Sequence, residues 1–160
     1  IYASWSLMSK IFIFLINSII SVSFAYLSSY SDRLRQYQIL KINLLIISLI
    51  FFILSFFYVF LSEFTVNLFF GREFISLVPN LYKASLFGFF LSLTVMINNY
   101  LIARNSKLPV FLLLSVILYF YLFLRGHESI SSIFDLNVYI SALTAIFSSL
   151  FLLIKIKYLL

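Results

Sequence analysis

The chain has 160 residues, of which 64% are hydrophobic and 10% are charged, and it carries a formal net charge of +6. A soluble domain has about 45–50% apolar and about 25% charged residues, so this chain lacks the polar side chains needed to cover its surface in water. The composition therefore excludes a soluble domain, a disordered tail and a nucleic-acid-binding domain, and it indicates an integral membrane protein.

Five apolar runs follow one another along the chain, separated by charged or turn-forming residues. They cover residues 2–30, 42–62, 84–103, 109–124 and 136–154. A transmembrane helix needs about 20 mostly apolar residues, whereas a membrane β-barrel needs segments of alternating polarity, and these runs do not alternate. The sequence therefore predicts an all-α polytopic membrane protein with about five transmembrane helices. Because the chain begins with Ile1 and shows no signal peptide, we interpret it as a fragment of a longer protein.

The charged connections divide into two groups that predict the orientation of the helices. One group follows the first, third and fifth runs and holds seven basic residues and one acid: Arg33, Arg35, Lys41, Arg104, Lys107, Lys155 and Lys157, with Asp32. The opposite connections hold three basic residues and four acids: Arg72, Lys83 and Arg125, with Glu63, Glu73, Glu128 and Asp135. Because Lys and Arg accumulate in cytoplasmic loops, we expect an external N-terminus and a cytoplasmic C-terminus.

The connection over residues 63–83 is longer than a turn and rich in aromatic and aliphatic residues. It predicts a short amphipathic segment that lies in the outer membrane interface and is broken at Gly71. Pro79 and Asn80 then predict a break before the third run. The alternative interpretation is a frayed end of the second helix.

The polar residues of three runs fall on single helix faces. At about 100° per residue, the polar side chains of the first run lie within an arc of about 60°, and those of the fifth run do as well. These two sets are Ser6, Lys10, Asn17, Ser21 and Ser28, and Asn137, Ser141, Thr144 and Ser148. In the third run, one side carries Lys83, Thr94 and Asn98, and the opposite side carries Ser85, Gly88, Ser92 and Asn99.

These faces predict how the helices are arranged. Hydrocarbon cannot satisfy polar side chains, so we expect the first, third and fifth helices to turn their polar faces toward a common hydrated centre. The second and fourth helices, which are almost wholly apolar, are expected to face lipid. The small residues on the other side of the third helix predict a packing seam between helices.

Lys10 is the strongest candidate for a functional side chain. If the helix begins near Tyr2, Lys10 lies about two turns inside the membrane boundary, where a lysine is costly unless it meets water or an anion such as phosphate. In the alternative, the helix begins later and Lys10 marks the interface. For Asn17, Asn98 and Asn99 a hydrogen bond between helices is the favoured interpretation, and a place in the cavity lining is the alternative. The candidate cavity-lining residues are Lys10, Asn17, Ser21, Thr94, Asn98, Ser141 and Thr144.

No enzymatic site is recognisable in the sequence. His127 is the only histidine and the chain has no cysteine, so neither a histidine-based triad nor a His/Cys metal site can be assembled. Glu128 and Asp135, which follow His127, are interpreted as residues of a solvated turn. Among three glycines there is no phosphate-binding loop. We therefore expect neither an enzyme nor a metal or cofactor site.

Four short motifs occur in a characteristic order. Tyr2-Ala3-Ser4 and Lys10 open the first run, which ends in Phe24-Ala25-Tyr26-Leu27-Ser28, and Ser31-Asp32 follows. The outer connection contains Leu68-Phe69-Phe70-Gly71-Arg72-Glu73-Phe74, and the third run ends in Asn99-Tyr100-Leu101-Ile102-Ala103-Arg104, with Lys107 beyond it. In order and spacing these motifs resemble the C-terminal part of the polysaccharide-biosynthesis flippases, the Wzx-type O-antigen exporters of the MOP superfamily.

The resemblance implies a MATE/MOP-like transporter of two helical bundles, in which residues 1–160 form the C-terminal bundle and the N-terminal bundle is missing. It implies a protein of the bacterial cytoplasmic membrane that moves a polyprenyl-pyrophosphate-linked glycan by alternating access. The implied partners are that glycan, membrane lipids and glycan polymerases or ligases, and Lys10 best matches the cavity cation. The alternative function is a non-transporting scaffold subunit of a glycan-assembly complex.

Overall fold

The structure is a computed structural model that describes residues 1–29, 32–104, 106–125 and 129–157. Its α-helices are α1 (Tyr2–Ser29), α2 (Arg33–Phe60), α3 (Ser62–Phe70), α4 (Leu81–Ala103), α5 (Leu113–Leu124) and α6 (Ile130–Lys157), with 3₁₀ helices at Arg72–Asn80 and Leu108–Leu112. The prediction of an all-α protein is confirmed. Three residues named above lie outside the described residues, Ser31, His127 and Glu128, and so does residue 30, the last residue of the first predicted run.

Four stretches of the described chain are long and apolar enough to cross a membrane: Tyr2–Ser29, Leu34–Phe60, Arg72–Ala103 and Ile130–Ile154. The fourth predicted span is also an apolar helix, α5, but it has only 12 α-helical residues and follows the 3₁₀ helix Leu108–Leu112. Four of the five predicted spans therefore have the length and apolar composition of a transmembrane helix, as a polytopic membrane protein requires.

The second helix begins nine residues earlier than predicted, at Arg33. Asp32 caps it, because its Oδ1 atom accepts a hydrogen bond of 3.0 Å from the backbone N–H of Leu34. A helix of 28 residues is about 42 Å long, whereas the hydrocarbon core is about 30 Å thick. The basic first turns of α2, with Arg35 and Lys41, therefore extend toward the lipid headgroups.

The last helix also begins earlier than predicted, at Ile130. Ser129 caps its start, because the Ser129 Oγ accepts a 3.2 Å hydrogen bond from the backbone N–H of Ser132. Asp135 consequently lies inside α6. Its interpretation as a residue of a solvated turn is wrong.

The connection between α2 and α4 forms two short helices. The predicted break at Gly71 is confirmed: its φ of 86° and ψ of 174° are strained for any residue with a side chain. Large apolar side chains on both sides of Gly71 are exposed: Phe64, Leu68, Phe69 and Ile75. At the predicted break, Pro79-Asn80, the helix type changes: the 3₁₀ helix ends at Asn80 and α4 begins at Leu81 without an intervening loop.

The central helix of the bundle is α4, which packs against α1, α2 and α6. One buried cluster contains Trp5 of α1, Tyr58 of α2, Leu81 of α4 and Phe134 of α6. A second cluster joins the opposite ends of the same helices at Leu27, Leu40, Tyr100 and Leu152. Helices α1, α4 and α6 therefore run parallel to one another and α2 runs antiparallel. None of the described side chains of α5 is buried, as expected for a helix that faces lipid.

The predicted packing seam on α4 is confirmed at its glycine. A Cβ atom at Gly88 would lie 2.8 Å from the Phe12 Cβ and 3.0 Å from the Ser9 carbonyl oxygen, so α1 approaches α4 too closely for any side chain. On the same seam, Ser85 accepts a 3.2 Å hydrogen bond from Ser55 of α2. Ser92 is 2% exposed, and its hydroxyl has no hydrogen-bond partner among the described residues.

We expect Gly88→Val to lower the free energy of unfolding by about 1–3 kcal/mol, because the new side chain forces α1 and α4 apart. Ser92→Ala is the matched control on the same seam. It should be neutral or stabilising, because it removes a buried hydroxyl that lacks a partner. Reversible unfolding in mixed micelles measures both variants. A Gly88→Val protein as stable as the parent would contradict the described contact.

Candidate functional site

A cavity of about 270 Å³ opens between α4, α5 and α6. Thr94 lies near the middle of α4 and Thr144 near the middle of α6, so the cavity lies deep in the membrane-spanning region. Its polar lining residues are Thr94, Ser115, Tyr119, Asn137, Ser141 and Thr144. Three predicted site residues, Thr94, Ser141 and Thr144, are therefore brought together.

The two threonine hydroxyl groups of this cavity donate to carbonyls of their own helices. Thr94 Oγ1 donates to the Phe90 carbonyl at 2.9 Å, and Thr144 Oγ1 donates to the Ser141 carbonyl at 2.8 Å. The two Oγ1 atoms lie 3.5 Å apart, within hydrogen-bonding distance, and either of them can be the donor. The pair can accept a hydrogen bond from a ligand hydroxyl or from water.

Two more polar groups of α6 follow the same pattern. Ser141 Oγ donates to the Val138 carbonyl, and Asn137 Nδ2 donates to the Ile133 carbonyl, both at 2.9 Å. These bonds use the Ser141 hydroxyl proton and one of the two Asn137 amide protons, and they leave acceptor oxygens available. Among the described residues, none that lines the cavity is charged. Its chemistry suits an uncharged, hydroxyl-bearing group.

The polar residues of α1 lie elsewhere. Lys10, Asn17 and Ser21 are all exposed, and at about 100° per residue they lie on the side of α1 opposite its buried face, which includes Met8 and Phe12. The prediction that three polar faces meet at one centre is therefore wrong for the described chain. The faces of α4 and α6 meet, whereas the face of α1 points away from them because α1 packs on α4 through its apolar side.

Asn98 lies neither in the cavity nor on the exposed surface of the bundle. It is half-buried on α4, one turn beyond Thr94, and it does not line the cavity. Asn99, on the other side of α4, is half-buried too.

A second polar group, which the sequence interpretation missed, joins the first turns of α4 and α6. Lys83 is 9% exposed, and its Nζ lies 2.7 Å from the Asp135 Oδ1 and donates to the Ser131 Oγ at 3.1 Å. Ser131 donates to the Asn80 Oδ1, and the Trp5 Nε1 donates to the Asn80 carbonyl oxygen, both at 3.1 Å. The network connects the starts of α1, α4 and α6.

The signal for this network was present in the sequence. Lys83 shares one side of the third run with Thr94, and that side faces α6. Placing Asp135 before the last helix concealed the pair. Had Ser129 been interpreted as a helix cap, Asp135 would have come one and a half turns into α6, opposite Lys83.

Comparison of the chain with protein-family models, with curated proteins and with solved structures gives no match. Among the described residues no group of three or more His, Cys, Asp or Glu side chains could hold a metal ion.

We expect Asp135→Asn to lower the free energy of unfolding by about 1–3 kcal/mol, because it leaves the buried Lys83 ammonium without its counter-charge. The loss is below that of a fully buried pair because the Asp135 side chain is 44% exposed. The double variant Lys83→Met/Asp135→Leu should recover most of it. Unfolding of Lys83→Met, Asp135→Leu and their double variant gives the coupling energy, and strictly additive effects would contradict the pair.

Proposed function

We propose that the chain is the C-terminal helical bundle of a flippase that moves a polyprenyl-pyrophosphate-linked glycan across the bacterial cytoplasmic membrane. The order of the four sequence motifs supports this proposal. So does the presence of several apolar helices of membrane-spanning length. The proposed mechanism is alternating access, in which this bundle and a second one rock around a hydrated pathway.

The observation that carries the proposal is the exposed polar face of α1. This face places an ammonium group, an amide and hydroxyls along a helix of transmembrane length, with Lys10, Asn17 and Ser21 all exposed. A lysine facing hydrocarbon costs about 2.5–3.5 kcal/mol at the helix centre, so water, an anion or another helix is a better neighbour for this face than lipid. In the proposed flippase, the face borders the transport pathway.

Each polar group would contribute a different interaction. Lys10 would neutralise the pyrophosphate, because an ammonium group forms charge-assisted hydrogen bonds with phosphate oxygens. Asn17 and the serines would exchange hydrogen bonds with sugar hydroxyls. The cavity between α4, α5 and α6 would offer acceptor oxygens to the same class of ligand.

A scaffold subunit of a glycan-assembly complex remains the second candidate, and one observation favours it. The cavity hydroxyls of Thr94, Ser141 and Thr144 all donate to carbonyls of their own helices, so none of them needs a ligand as acceptor. In this function the polar faces would pack against other membrane proteins, such as polymerases or ligases.

The proposal predicts that Lys10→Ala in the intact protein reduces surface glycan about tenfold, because charge-assisted hydrogen bonds contribute about 1.5–3 kcal/mol. Lys10→Arg should retain most export, and Lys107→Ala, an exposed basic residue at the other end of the bundle, is the control. Whole-cell glycan staining and quantification of the membrane-inserted protein measure the outcome. Normal export by Lys10→Ala at normal protein level would remove Lys10 from the mechanism.

A transport assay separates the two candidates. The purified intact protein in liposomes should expose a fluorescent polyprenyl-pyrophosphate sugar to an impermeant quencher at a rate that Lys10→Ala lowers. A scaffold would give the rate of protein-free liposomes with either protein.

We propose a cytoplasmic C-terminus on the basis of the positive-inside distribution. Because the chain has no cysteine, single cysteines report orientation without background. An impermeant thiol reagent should label Asn67→Cys in α3 in intact cells, and Lys107→Cys only after the membrane is permeabilised. The reverse pattern would show that the orientation is inverted.

A further inference from the structure

A groove between α1 and α2 lies at the end of the bundle where these two helices are connected. Its volume is about 590 Å³. Val22, Ser23 and Tyr26 of α1 and Ile39, Ile42 and Asn43 of α2 are among its lining residues. On α1 this groove lies about 150° from the face that carries Lys10, so it is separate from the proposed transport pathway.

Asn43 gives this groove a polar group that lacks a partner. The residue is 5% exposed, and its Nδ2 atom is buried without a hydrogen-bond partner among the described residues. The neighbouring Ser23 hydroxyl donates to the Ile19 carbonyl at 2.6 Å, so its own donor is already used. A buried amide donor without an acceptor is unfavourable, and an acceptor oxygen from a ligand would relieve it. The terminal torsion of asparagine is broad, so the amide can turn toward the groove without changing its χ1 rotamer.

The position of the groove in the membrane indicates the kind of ligand. Asn43 is the second residue of the apolar run that begins at Ile42, so it lies at the edge of the hydrocarbon. Val22 and Ile42 are 58% and 60% exposed and offer apolar walls that open to the lipid. Tyr26 is also exposed, at the depth where amphipathic aromatic rings accumulate in membrane proteins.

Arg35 extends the same face of α2 toward the headgroups. It lies one turn before Ile39, whereas Lys41 lies about 150° away from the groove. The Arg35 Nε is 3.9 Å from the Asp32 Oδ2 in an exposed ion pair. The planar guanidinium carries several donors, so it can contact a phosphate while it remains near Asp32.

We propose that this groove binds one anionic glycerophospholipid. An acyl chain lies along Val22 and Ile42, an ester carbonyl oxygen accepts a hydrogen bond from the Asn43 Nδ2, and the headgroup phosphate faces Arg35. A diacyl lipid supplies all three complementary groups in this order. Such a lipid can enter the groove from the surrounding bilayer without passing through water.

The test measures lipid binding to the purified intact protein in detergent by native mass spectrometry, with phosphatidylglycerol or phosphatidylcholine as the added lipid. The parent protein should retain one phosphatidylglycerol in preference to phosphatidylcholine. Asn43→Leu should weaken binding about 3–10-fold, the contribution of one hydrogen bond. Arg35→Gln should abolish the preference for the anionic lipid, whereas Lys41→Gln should keep it.

A second pair of variants tests the groove itself. Val22→Trp fills the groove and should abolish binding, whereas Val59→Trp, at a similarly exposed valine near the other end of α2, should bind as the parent does. Thermal unfolding without added lipid reports folding, and Asn43→Leu should be at least as stable as the parent because it removes the unpartnered amide. The proposal is overturned if Asn43→Leu and Val22→Trp are folded and bind phosphatidylglycerol like the parent, or if the parent binds both lipids equally. Lipid binding and thermal unfolding do not measure transport, so their results do not depend on whether the protein is a flippase.

Discussion

The structure depends on one constraint: within hydrocarbon, a polar group must find its partner inside the protein. The chain meets this constraint mostly within single helices, where hydroxyls such as those of Thr94 and Ser141 donate to carbonyls three or four residues earlier. Near the end of α2, Tyr58 instead reaches across to the carbonyl oxygen of Met8 at 3.0 Å. Contacts between helices can therefore be mainly apolar, and this allows α1 to approach α4 closely at Gly88.

The helices themselves could be predicted because their apolar runs are long and uninterrupted. The ends of the helices could not be predicted in this way, because the capping residues lie outside the apolar runs. Asp32 caps α2, which begins nine residues before its run, and Ser129 caps α6, which begins six residues before its run. The early start of α6 has a chemical consequence. Because α6 begins about a turn and a half before its apolar run, Asp135 lies within the helix and contacts Lys83, which a residue of a solvated turn would not do.

Helical periodicity groups the polar residues of each helix on one face, but it does not determine which faces meet. Periodicity places Lys10 and Asn17 on one side of α1, yet the side that packs on α4 is decided by shape, through Phe12 and the absence of a side chain at Gly88. The faces that carry Thr94 and Thr144 do meet, because α4 and α6 pack against each other. The sequence did not predict a role for Asn43, because no other polar residue follows it at helical spacing on the same face.

The pairing of Lys83 with Asp135 also has a consequence for biogenesis. About fifty residues separate the two, so at a synthesis rate of about 5–20 residues per second Lys83 leaves the ribosome roughly 3–10 s before its counter-ion. During that interval the lysine must remain at the bilayer surface or beside the insertion machinery. Until α6 has been synthesised, the Lys83 ammonium therefore lacks both the carboxylate and the hydroxyl that it contacts in the folded bundle.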